Sequence, residues 1–102
     1  MSHRVRFSDN AVADLDGIAE HIAGDNPVRA ISFIDELQRR TIDMLSVFPE
    51  SGTRYKGLTR FLVFSGYIVL YEIDIADQTV NVLDIVHGRR NWKKSDARPP
   101  RA

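Results

Sequence analysis

A chain of 102 residues is one domain, long enough to bury a core without cross-links, and it has no cysteine to supply a disulfide, a thiolate metal site or a thiol nucleophile. Fourteen Lys and Arg offset fourteen Asp and Glu, so net charge gives no general pull toward nucleic acid or membrane, yet the charge is split along the chain. Residues 1–50 carry five basic and nine acidic side chains (5 − 9 = −4) and residues 51–102 nine and five (9 − 5 = +4), an asymmetry that can orient a partner.

The start, MSHRVRF, has no apolar core of the kind a signal peptide needs, and every apolar run is far shorter than a bilayer span. A soluble, cytoplasmic protein is the expectation. His3 to Phe7 alternates Arg4 and Arg6 with Val5 and Phe7, the period of a short strand with one buried face. Ser8 then stands as a helix N-cap with Asp9 in the first turn.

Ala11, Leu15, Ile18, Ala19 and Ile22 recur at helical spacing while Asp14, Asp16, Glu20 and His21 fall on other faces, which predicts an amphipathic helix ending at Gly24. Asn26-Pro27 is an N-cap followed by proline at the first helical position. The second helix is expected to bury Ala30, Phe33, Ile34, Leu37, Thr41, Met44, Leu45 and Phe48 and to stop at Pro49. So short a connection makes the pair an antiparallel hairpin. Ile31 and Ile42 lie beside the main stripe; packing on the sheet is the preferred reading, a partner-facing apolar surface the other.

Glu50 to Arg60, ESGTRYKGLTR, has the composition of a loop. Its Arg54, Lys56 and Arg60 surround Tyr55, a group that suits either solvent or a phosphate. Phe61 to Phe64 and Tyr67 to Ile75 are strand-forming runs joined by a tight Ser65-Gly66 turn. Tyr67, Val69, Tyr71, Ile73 and Ile75 share one face, and on the other Ile68 and Leu70 give way to Glu72 and Asp74. Thr79 to His87 is the last strand, apolar at both parities and so expected to be covered on both sides.

The expected order is β-α-α-β-β-β, an α+β domain with an antiparallel sheet and a helical hairpin packed on one face. One domain spans residues 1–94, and 95–102 form a basic tail expected to be disordered.

The chemistry concentrates at Val80 to Arg90, VNVLDIVHGRR, where an apolar strand delivers His87, Gly88, Arg89 and Arg90 to the surface. Charge at a strand mouth must reach water or an anion, since unpaired buried ions are strongly disfavoured. On charge patterning alone, a solvated strand end is an equal reading. His3, His21 and His87 have no metal-ligand spacing, no Ser sits in a G-x-S-x-G context and no glycine-rich phosphate loop is present, so no metal or cofactor is expected. Cleavage of RNA by its own 2′-hydroxyl would need an acid, a base and cations. His87 as acid or base, Arg89 or Arg90 as stabiliser and Tyr71 as a second proton donor supply those parts, with Trp92, Lys93 and Lys94 beside them.

Ala11, Asp14, Leu15, Ile18 and Ile22 in the order A-x-x-D-L-x-x-I-x-x-x-I, then Asn26-Pro27, then Ala30, Phe33 and Leu37 in A-x-x-F-x-x-x-L, resemble bacterial toxins of the ParE/RelE superfamily. Phe48-Pro49 with Gly52, Tyr67 with Tyr71, and the ending Ile85-Val86-His87-Gly88-Arg89-Arg90 continue the likeness from about residue 4 to residue 92. The H-G-R-R ending and the N-P helix start look more like the ParE branch. That resemblance implies a toxin encoded beside a neutralising antitoxin, expected to be a small ribbon-helix-helix protein through which the complex contacts DNA indirectly. DNA gyrase is then the expected target.

For target contact the resemblance points to His87, Arg89, Arg90, Trp92 and Lys93, and for antitoxin binding to Ile31, Ile42, Arg89 and Arg90. An antitoxin segment is expected to wrap the hairpin and sheet, with acidic residues meeting the arginines. RelE-type members instead cut mRNA in the ribosome and are typically basic on the sheet's concave face, whereas this sheet carries Glu72, Asp74 and Asp84. The alternatives are therefore a metal-independent ribonuclease using His87, Arg89, Arg90 and Tyr71, or a non-toxic member that only binds its antitoxin.

Overall fold

The computed structural model describes residues 2–89, which form β1 (Arg4–Phe7), α1 (Asp9–Ala23), α2 (Pro27–Val47), β2 (Thr53–Lys56), β3 (Thr59–Phe64), β4 (Tyr67–Asp74) and β5 (Thr79–His87). Both helices begin where the sequence places their caps. Ser8 Oγ accepts the Ala11 N–H, and Asn26 Oδ1 accepts the Arg29 N–H just after Pro27.

The five strands lie in the order β1-β5-β4-β3-β2. Two expectations need correction here. The sheet is mixed, because β1 runs parallel to β5 while the other neighbours are antiparallel. And the run expected to be a loop contains β2 and the start of β3, turned at Gly57, whose φ of +56° suits a residue without Cβ. Strand β2 is a short, exposed edge with Arg54 and Lys56 on it, a composition that composition-based reading takes for loop.

The β3–β4 hairpin is as tight as its sequence asks. Phe64 pairs Tyr67, and Ser65 and Gly66 between them both adopt positive φ, 46° and 86°, the requirement of a type I′ turn.

The helical hairpin covers one face of the sheet. Leu15 and Ile18 from α1 and Phe33, Leu37 and Leu45 from α2 pack with Tyr67, Val69, Tyr71, Val80, Val82 and Ile85. Burying an aliphatic side chain of this kind stabilises by about 1.5–3 kcal/mol. The buried stripe of α2 runs through Ala30, Phe33, Leu37, Thr41 and Leu45, narrower than its sequence implies. Met44 and Phe48 are exposed, and so are Ile31 (77%) and Ile42 (41%), which do not pack on the sheet.

Apolar residues at both parities of β5 have a specific cause. Leu70 pairs Asp84 but its neighbour Tyr71 pairs Val82, so Leu83 is an extra residue, a bulge. Val80 and Val82 face the helices before it and Ile85 after it, and His87 follows Ile85 onto that side. The strand changes phase at the bulge, and past it Ile85 and Val86, on opposite faces, are both buried, so this end is covered on both sides as its sequence implies. The opposite face carries Leu70 and Glu72 of β4, Thr59, Phe61 and Val63 of β3, and Asn81 and Asp84 of β5, and is open there, whereas the Ile68–Val86 pair at its far end is buried.

Candidate functional site

The end of β5 is held from three directions. Its ladder with β4 closes at the Tyr67–His87 pair, and the Gly88 N–H then donates to Gly66 O at 2.7 Å. A Cβ on Gly88 would stand 2.9 Å from that same oxygen, so only glycine lets the chain pass the hairpin turn this closely. From the other side, α1 supplies Asp14 to the Ile85 N–H at 2.8 Å and Ser8 to the Leu83 carbonyl at 2.8 Å.

Because of the bulge, His87 lies on the helix side, half-buried. Its ring meets Tyr67 edge-on, with centroids 5.1 Å apart and planes at 80°. Tyr67 contacts Phe33 at 5.6 Å and Phe33 contacts Phe64 at 5.9 Å, so an aromatic row runs from α2 to the strand end. Arg29 lies over the Phe33 ring and Arg40 over that of Phe64. The Arg89 N–H donates to His87 Nδ1 at 3.0 Å, which makes Nδ1 an acceptor and puts the ring proton of a neutral imidazole on Nε2. A cleft of about 430 Å³ opens beside this pair, between α1 and β5, with Asp14, Gly17 and His21 among its lining residues.

Arg89 is exposed at the surface as its charge requires. Arg90, Trp92 and Lys93 lie outside the described residues, as do Lys94 and the tail. Tyr71, by contrast, is fully buried on the helix side of β4, four residues along the strand from the Tyr67–His87 pair, about 13 Å at the usual rise. Its hydroxyl donates to Pro49 O at 2.8 Å and accepts from the Gly52 N–H at 2.8 Å. Burial pushes this phenol above its ordinary value, partly opposed by the Gly52 N–H and the nearby Arg60 charge. Tyr71 therefore anchors the 49–52 segment, and the structure does not bring it to His87 as a second proton donor.

Arg60 belongs to the same anchor, donating from Nη1 to Glu50 O and Gly52 O. Among the described residues the open face carries charge of both signs. Glu72 accepts from Thr59 Oγ1 and Asp84 stands near the centre, while the cations come from the two outermost strands, Lys56 of β2 beside Thr59 and Arg4 and Arg6 of β1, Arg4 paired with Asp77 at 3.5 Å. Among the described residues no group of three or more His, Asp or Glu could hold a metal ion.

Ile31 rims a shallow apolar groove of about 590 Å³ between α1 and α2, lined by Ala19, Ala23, Pro27, Ala30 and Ile34 with Glu20 and Asp35 at its borders. Ile42 borders a smaller depression with Asp35, Gln38, Arg39 and Asp43. Sequence reading missed the roles of Ser8 and Asp14 toward β5. The only signal for them is a cap and a carboxylate six residues apart at the start of a helix that follows a strand.

Residues 5–92 match the family described as the ParE toxin of type II toxin-antitoxin system, parDE. Several solved structures share the fold. A chain of the chromosomal ParDE system of P. aeruginosa aligns with a TM-score of 0.71 at 16% identity, covering 84% of this chain and 96% of that one. The RelBE2 toxin-antitoxin complex of Mycobacterium tuberculosis gives 0.67 at 23% identity, covering 85% and 99%. A substituted E. coli RelE toxin in the free state gives 0.60 at 17% identity, covering 95% of each. No curated protein sequence matches the chain significantly.

Proposed function

Since the chain belongs to the ParE toxin family, the toxin half of type II toxin-antitoxin systems, we propose that it arrests growth by protein contact with DNA gyrase through the segment from His87 to Lys93, and that a cognate antitoxin neutralises it. The observation that carries this reading is the built exit of β5. Bonds from Gly66, His87, Asp14 and Ser8 fix the point at which Arg89 leaves the sheet, while the inner strands of the open face carry two carboxylates, Glu72 and Asp84, and its described cations stand only on the edge strands β1 and β2, where a ribonuclease needs them around the scissile phosphate.

The antitoxin is a small ribbon-helix-helix protein in this reading, and the complex touches DNA through it in the cytoplasm. Its toxin-wrapping segment lays apolar side chains against Ile31 and Ile42 and acidic ones toward Arg89 and Arg90. The exposure of both isoleucines supports the first contact, and charge-assisted pairing with guanidinium groups supports the second. Among the described residues no helix is long and apolar enough to cross a membrane.

The test is a gyrase supercoiling assay with purified protein, run beside expression of Arg89→Ala combined with Arg90→Ala. Inhibition by the native protein, and loss of inhibition and growth arrest in the double variant, with antitoxin binding weakened but largely retained through the Ile31 and Ile42 contact, is the expected result. Undiminished arrest by the double variant overturns the contact segment. Unimpaired gyrase with codon-positioned mRNA cuts on translating ribosomes overturns the target.

A further inference from the structure

We propose that His87 is a positioning residue: its Nδ1, held still by the Tyr67 ring, ties down the Arg89 amide and so sets the direction in which the contact segment leaves the sheet. This rests on the proposed role of that segment, and it gives His87 a different part in it from the arginines.

The first observation is the span of the bond. The Arg89 N–H donates to a side-chain acceptor two residues earlier, at 3.0 Å. That is the span of an Asx-turn, in which an Asn or Asp oxygen accepts from the N–H two residues on and bends the chain. A histidine does the same work through Nδ1, which stands the same number of bonds from the main chain as the Asn or Asp Oδ1, and packing of its ring keeps that atom aimed at the amide.

The second observation is that the ring is fixed. Tyr67 holds it edge-on at 5.1 Å, and Tyr67 is itself 9% exposed and packed on Phe33 of α2. The third is the preceding amide: Gly88 N–H is bound to Gly66 O at 2.7 Å. Two consecutive amides are thus tied, one to the hairpin turn and one to a ring anchored in the core. Arg89 begins its course from a fixed point, which lowers the ordering cost when it meets a partner. His87, half-buried and bonded through Nδ1, has less of its own surface to present.

Three variants separate acceptor from ring. His87→Phe keeps the ring on Tyr67 and deletes the acceptor; His87→Asn keeps an acceptor of Asx-turn span and deletes the ring; His87→Ala removes both. The readouts are amide hydrogen exchange at Arg89, the thermal midpoint, and potency in gyrase inhibition. Losing one such bond is worth roughly tenfold in an equilibrium. The Phe variant is therefore expected to keep the native midpoint while Arg89 exchange rises and potency falls by roughly that factor. His87→Asn is expected to recover most of both, and His87→Ala neither.

Native exchange at Arg89 in the Phe variant overturns the proposal, as does equal impairment of the Phe and Asn variants, the pattern of an imidazole read directly by the target. If His87→Phe is unfolded, the Asn and Ala pair decides alone: equal Arg89 exchange in these two overturns it. Should gyrase prove not to be the target, the exchange data still judge the positioning role, so the two failures are distinct.

Discussion

The carboxylate of Asp14 accepts the main-chain N–H of Ile85 at 2.8 Å, a bond between residues 71 apart in sequence. It marks where α1 takes over from β1 as the outer neighbour of β5. The β1 ladder ends at the Phe7–Val82 pair, and beyond it Ser8 N–H donates to Val82 O, Ser8 Oγ donates to Leu83 O, and Asp14 receives Ile85. Because β1 ends at that pair, the outer edge of β5 beyond it has no strand beside it among the described residues, and Ser8 and Asp14 supply its bonds instead. The same bonds brace the strand end that carries His87 and Arg89.

Asp14→Ala should consequently cost about 1–3 kcal/mol, the range for leaving a part-buried donor without its acceptor. Asp14→Asn keeps an acceptor oxygen and should cost less, losing only the charge assistance. Urea denaturation checks this through the midpoint, with the slope unchanged in both variants. An alanine variant with the native midpoint would show that water serves Ile85 as well as the carboxylate does.

Tyr71 and Gly52 form a second lock whose removal has a different signature. Tyr71→Phe strips a donor from Pro49 O and an acceptor from the Gly52 N–H, and should cost about 1–3 kcal/mol. Gly52→Ala should be worse, because its Cβ would collide with the Tyr71 hydroxyl and stand 2.7 Å from the Phe61 carbonyl oxygen. The double variant should not recover, since the backbone clash remains.

Ionisation of Tyr71 gives this lock a pH signature. The folded state holds the phenolic proton more tightly than the unfolded chain does. The stability it contributes is therefore complete below the ordinary tyrosine value of about 10 and is lost as pH rises through and beyond that value. Thermal midpoints across that range should fall more steeply for the native protein than for Tyr71→Phe.

How far the sequence discloses this molecule depends on the range of the interaction involved. Both helices, their caps at Ser8 and Asn26 and the Ser65-Gly66 turn follow from contacts a few residues apart, and all stand where the spacing puts them. The β2 edge was hidden because an exposed strand bearing Arg54 and Lys56 has a loop's composition; only pairing with β3 makes it a strand. The parallel β1–β5 pairing and the bulge at Leu83 are likewise non-local. The bulge also decides the candidate site, since a one-residue change of phase is what turns His87 toward Tyr67 and α1. Tyr71 was nominated for chemistry by residue type, but burial and two satisfied bonds give it a structural task.

Ile31 and Ile42 test the antitoxin surface with little risk to the fold. Ile31 is 77% and Ile42 41% exposed, so Ile31→Asp should change stability by no more than about 0.5 kcal/mol and Ile42→Asp, which loses some apolar burial, by about 1 kcal/mol. Against an antitoxin segment seated on the hairpin, each aspartate puts a charge into an apolar contact beside Asp35, already on the groove border. Titration calorimetry with the antitoxin's toxin-binding segment should show affinity reduced by tenfold or more for Ile31→Asp, about 1.4 kcal/mol, and less for Ile42→Asp, which sits nearer charged neighbours. Unchanged affinity in both would place the antitoxin elsewhere.

The open face of the sheet yields the last expectation. Cleaving an RNA backbone there would mean binding a polyanion and stabilising further negative charge at phosphorus, and the affinity of such surfaces rests on Lys and Arg. In this sheet the middle of that face is Leu70, Phe61 and Val63, with Asp84 beside Leu70 and Glu72 beside Thr59. A phosphodiester brought to Glu72 or Asp84 would meet like charge. The described cations of that face, Arg4, Arg6 and Lys56, stand on the two edge strands, and Arg4 is engaged with Asp77. Purified protein added to translating ribosomes should leave mRNA intact, and replacing Glu72 and Asp84 by Gln and Asn should not create cleavage, because removing two anions does not supply an acid and a base. Growth arrest should be unaffected by that pair of substitutions and should track Arg89 instead. Arrest that followed Glu72 and Asp84 would move the functional surface from the exit of β5 to the open face.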